Sequence, residues 1–104
     1  MWRMRELNRF DKEITELRER TANTRYQFVR TELDTCLTAL EMAKYELSVG
    51  NIDLTKKEVN AVEKGIEAIE RFMLEVHEEQ RAGLEKKLVE LKTGLRVMKQ
   101  ELER

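Results

Sequence analysis

Proline is absent from this chain, and glycine occurs four times in 104 residues. With so little punctuation few turns can be built, so the elements must be long. A single cysteine, Cys36, excludes an internal disulfide framework, and a reducing cytoplasm is the expected compartment. Charge of one sign is not in excess. The net charge is −1, which excludes general binding of nucleic acid or membrane through bulk charge. Long apolar runs are missing, so no membrane span is expected. The opening Met1-Trp2-Arg3-Met4-Arg5 carries charge where a secretory leader would be apolar. Catalytic vocabulary is missing too. There is no glycine-rich phosphate loop, no cysteine–histidine cluster and no set of convergent polar groups. No enzyme activity, cofactor or metal site is expected.

What remains is charge and leucine in regular order. Charged residues make up 39% and apolar residues 40% of the chain. Rich Glu, Lys, Arg and Leu usage predicts an all-α fold of long, coiled-coil-like helices. Tyr26, Val29, Leu33, Cys36, Leu40, Ala43 and Leu47 are spaced alternately by 3 and 4, the seam of one helix. That helix is expected over about 3–49, because Gly50-Asn51 supplies the left-handed residue that commonly follows a helix end. Asp53 is a candidate N-cap for the next helix. Thr55 is another, with Glu58 completing a capping box and Leu54 and Val59 a hydrophobic staple. A turn at 50–53 makes the two helices antiparallel neighbours. The second carries Val59, Val62, Ile66, Ile69, Met73 and Val76, then Leu84, Leu88, Leu91, Leu95, Met98 and Leu102. The two sets differ by a one-residue skip, which a continuous helix tolerates. The expectation is therefore one helix over about 54–103, and a single domain shaped as a long antiparallel hairpin.

An earlier stripe, Leu7, Phe10, Ile14 and Leu17, is out of phase with the seam that begins at Tyr26. Thr21-Ala22-Asn23-Thr24 lies between them, a stretch of weak helix formers. A break or kink is expected there, and Thr24 with Gln27 could cap a restarted helix. Alternatively residues 3–20 fold back as a third helix. With the hairpin turn near residue 51, residues 21–24 stand opposite 79–82, so the two irregularities meet at one level and the arms are expected to pair along their whole length.

Two helices make a thin core, and the apolar stripes are broad. Phe28, Leu37 and Met42 widen the first helix; Phe72 stands beside Ile69 and Met73 on the second; Val89 and Val97 lie off the main seam. One facing helix cannot cover all of these, so a homodimer forming a four-helix bundle is expected. The expected packing surface comprises Phe28, Leu37, Met42, Ile69, Phe72 and Met73, with Leu84, Leu88, Leu91, Leu95 and Met98 further along. Residues 1–30 carry a net charge of +3, residues 31–80 carry −7, and residues 81–104 carry +3. In a full hairpin the open end is basic and the turn end acidic, which biases a dimer towards an antiparallel arrangement.

Single features have two readings each. Gly65, Gly83 and Gly94 lie on nearly one side of a helix and form either a smooth strip for a neighbouring helix or three unrelated tolerated glycines. His77 is a boundary residue or pH sensor rather than a ligand, since a di-iron bundle needs paired Glu-x-x-His motifs. Cys36 reads as a small hydrophobe in the seam. Glu63, Glu67 and Glu70 form a solvated or a docking face. Trp2 and Met4 among Arg3, Arg5 and Arg9 cap a bundle end or meet an anionic surface. The function these point to is a non-enzymatic scaffold or adaptor acting through helix packing, as a homodimer or with another protein. The alternative is a module whose basic open end, the N-terminal tip plus the end of the C-terminal helix, holds nucleic acid or a membrane surface.

Overall fold

The computed structural model describes the backbone of residues 2–104 and the side chains of residues 12–104. The fold is all-α: α1 runs from Trp2 to Ser48, α2 from Ile52 to Met73 and α3 from Glu78 to Leu102, with no strand among the described residues.

The helix does not break at 21–24, and residues 3–20 do not fold back; α1 is uninterrupted. The hydroxyls of Thr21 and Thr24 donate to the carbonyls of Leu17 and Arg20 at 2.9 and 2.8 Å. Back-bonding of this kind lets threonine sit inside a helix by satisfying its hydroxyl on the preceding turn.

The first turn is a Schellman motif. Gly50 has φ 81°, its N–H donates to Leu47 at 3.1 Å, and the Asn51 N–H donates to Glu46 at 2.9 Å. The cap of α2 is neither Asp53 nor Thr55. Asn51 takes that place, its side-chain oxygen accepting from the Leu54 N–H at 3.3 Å. Thr55 is instead fully buried, with its hydroxyl donating to the Asn51 carbonyl at 2.8 Å.

The helix expected over 54–103 is two helices. It breaks at Leu74-Glu75-Val76-His77, and α3 turns back to lie antiparallel to α2 and parallel to the C-terminal half of α1. No glycine or proline marks the break. His77 leaves the helix at φ −58° and ψ 139° and begins α3 without a side-chain cap. The open carbonyls are met by Arg81, whose guanidinium donates to Val76 at 2.9 Å and Leu74 at 3.3 Å. Glu78 and Glu79 in the first turn of α3 complement its dipole. The arms therefore do not pair along their whole length.

The core is one cluster shared by three helices. Val29, Leu33, Cys36, Leu40 and Ala43 of α1 meet the buried faces of α2 and α3. The molecule measures 73 × 21 × 15 Å. Only α1 is long enough for the first dimension, at about 1.5 Å per residue. Its first twenty or so residues project past the bundle.

Candidate interaction surface

The residues expected to need a partner chain are for the most part covered by α3 and by one another. Ile69, Met73, Leu84, Leu88, Leu91, Leu95 and Met98 are buried in the core of the single chain. Leu37 and Phe72 are half-buried against it. Phe28, on the rim of α1, meets Phe72 edge-on, with centroids 4.9 Å apart at 77°, and the Arg25 guanidinium lies 4.8 Å from the Phe72 centroid. Met42 remains exposed, as do Val89 and Val97 on α3. The breadth of the stripes reflects a third helix within the chain.

Charge is satisfied in the same way. The basic stretch 81–104, most of it in α3, lies along the acidic middle of the sequence, with Lys87 facing Asp34 at 3.6 Å, Lys92 facing Glu70 at 2.9 Å, and Lys99 paired with Glu63. The acidic face of α2 is thus in part the seat of α3. The two basic segments expected to share an open end lie at opposite ends of the molecule. The end of α3 sits by the end of α1, where Met98 and Glu101 share a groove with Leu47, while the N-terminal tip is at the far end of α1. The side chains of Trp2, Arg3, Met4, Arg5 and Arg9 lie outside the described residues.

Two of the three glycines are close-approach sites within the chain. A Cβ on Gly65 would collide with the Cys36 Sγ of α1, and a Cβ on Gly94 would come within 2.5 Å of the Leu40 Cδ2. Gly83 faces open space, so the three do not form one strip. Burial, with a smaller contribution from Glu32, pushes the Cys36 thiol up from its ordinary range. His77 is exposed in the second turn. Among the described residues no three His, Cys, Asp or Glu side chains are grouped to hold a metal ion, and no helix is long and apolar enough to cross a membrane.

The projecting half of α1 remains. From Lys12 to Thr21 every described side chain is exposed except that of Ile14, which is half-buried, and Leu17 is 60% exposed. Ile14, Leu17, Arg18, Thr21 and Ala22 line an open groove of about 390 Å³ that ends at Arg25 and Glu75, themselves paired at 2.6 Å. An amphipathic helix with an uncovered apolar stripe is a surface built for another helix. Sequence reasoning found the stripe but did not see that it would stand alone. Comparison of the chain with protein-family models, curated proteins and solved structures finds no match.

Proposed function

We propose that the chain is a non-enzymatic interaction module that assembles with a second copy of itself through helix packing and serves as a scaffold or adaptor. The observation that carries this reading is the projecting half of α1. A helix of about twenty residues is marginal in water without tertiary packing, and here it carries apolar residues at 3-and-4 spacing on one side. No other part of the chain lies opposite it among the described residues. The bundle has a filled core and holds α3 by three ion pairs; Met42, Val89 and Val97 are exposed on it singly, whereas the half-helix carries its apolar residues as a stripe.

The test is capture between two differently tagged copies. Wild-type chains should capture each other, and Ile14→Glu with Leu17→Glu should abolish capture. Both positions lie above the bundle core, so the variant should unfold at the temperature of the wild type. Retained capture by a folded variant would remove the projecting stripe from the interface.

A further inference from the structure

The register between α1 and α2 predicts what covers the projecting stripe. Facing residues have numbers that add to about 100, as in any antiparallel pair: Arg25 with Glu75, Phe28 with Phe72, Cys36 with Gly65. The bend at 74–77 ends this series. Carried on along a straight helix, the same register sets α3 beside the projecting half of α1. Leu84 then stands level with Leu17, Leu88 with Ile14, Leu91 with Phe10, Leu95 with Leu7, and Met98 with Met4. Each of these positions of α3 meets an apolar one.

The faces agree over most of this length: positions 17, 14 and 10 fall within about 40° of Phe28 around α1, position 7 about 60° away and position 4 about 120° away. At about 100° per residue, Leu17 and Phe10 lie on the same side of α1 as Phe28, and Phe28 is where α1 meets Phe72 of α2. A helix prolonging α2 would run along that side. If α2 and α3 are drawn as one helix, their buried residues also share a side, to within about 30°.

Straightening would take α3 from its seat on Asp34, Glu63 and Glu70 and leave the core of α1 and α2 open. A second copy set antiparallel fills that seat with its own α3. We propose that two copies assemble by exchanging α3 about a hinge at Leu74-Glu75-Val76-His77. This rests on the self-assembly reading above and names its geometry. Each α3 takes the position on the mate that it holds within its own chain in the closed form. The pairs Lys87–Asp34, Lys92–Glu70 and Lys99–Glu63 become pairs between chains. The projecting half of each α1 is covered by the straightened α3 that follows in the same chain. No arrangement of one copy covers both surfaces, and this arrangement of two does.

The hinge has the character exchange requires. It is short and holds neither glycine nor proline. It leaves Leu74 77% exposed, and His77 caps α3 with no side-chain bond. Short hinge loops are a common route to exchanged dimers. The bend is held by Arg81 on the carbonyls of Leu74 and Val76, by Arg25 on Glu75, by the N–H groups of Glu75 and Val76 donating to Phe72 and Met73, and by the buried Val76 side chain.

The experiment uses the full chain. Equal amounts of unlabelled and nitrogen-15 chains are unfolded together, refolded and separated by size. The fractions are then treated with a zero-length carbodiimide, which joins Lys92 to Glu70 as an amide. Mass spectrometry of the linked peptides reports whether the two residues came from one chain or two. Links between light and heavy chains in the dimer fraction are the expected result. A dimer whose Lys92–Glu70 links are always of one isotope would overturn exchange and leave self-assembly standing. A monomer at every concentration would overturn both.

Discussion

Gly65 and Gly83 should respond to the same substitution with opposite signs. Alanine at Gly83 meets open space and gains helix propensity, so Gly83→Ala should stabilise the fold by up to about 1 kcal/mol. At Gly65 the new methyl meets the Cys36 Sγ, and overpacking a closed core costs about 1–3 kcal/mol. Denaturant titration should show a lower midpoint for Gly65→Ala, and Cys36→Ala should restore part of it in the double variant. Cys36 itself is buried and its thiol is held protonated, by burial first and Glu32 second. A thiol raised in the folded state makes stability fall as pH climbs above the thiol's unfolded range, because the unfolded chain then gives up its proton first. At neutral pH, alkylation of Cys36 should be far slower in native than in denatured protein. Fast native labelling would place the thiol outside the core. Arg81 has the opposite role, a polar group that holds a bend. Removing it in Arg81→Ala leaves the end of α2 without its donor and should shift a sizing profile towards the dimer.

At the scale of elements, some boundaries were legible and others were not. The turn at 50–51 was, because Gly50 does what few other residues can, adopting φ 81° without a steric cost. The break at 74–77 was not, because nothing in Leu-Glu-Val-His favours a turn. The signals that mark it are weaker: residues 77–83 hold no large apolar side chain, and Glu78-Glu79 followed by Gln80 reads as a helix start. A one-residue skip was the other reading of that gap, and the phase of the stripe accommodates both. The opposite error occurred at 21–24, where poor helix formers suggested a break. The helix runs through them, with both threonine hydroxyls satisfied on the preceding turn. The candidate surface was half legible. Its stripe is plain in the spacing of Leu7, Phe10, Ile14 and Leu17, but its isolation depends on where α3 goes, which is a tertiary matter. Two predictions belong here. A chain that begins at residue 21 should keep the unfolding transition of the bundle, since the core begins at Ala22 and Val29, and should lose self-association. Lys92→Ala with Lys99→Ala should cost about 1 kcal/mol at low salt and less at high salt, because both pairs are exposed and screened.

The whole molecule is a three-helix bundle with half of one helix standing clear of it. That shape changes the argument for a partner without removing it. Most of the broad stripes and part of the alternating charge are met by α3 within the chain, although Met42, Val89 and Val97 stay exposed. What asks for one is the projecting α1, which the fold leaves bare. A dimer built on apolar contact should depend little on salt, whereas one held by charge pairs should loosen as the Debye length shrinks.

Light scattering on a sizing column, over a wide range of chain concentration and at low and high salt, tests that claim most directly. A dimer that forms with rising concentration and persists at high salt is the expected result. A monomer under all conditions would contradict it, and would mean that the projecting half of α1 is not a site for a second copy.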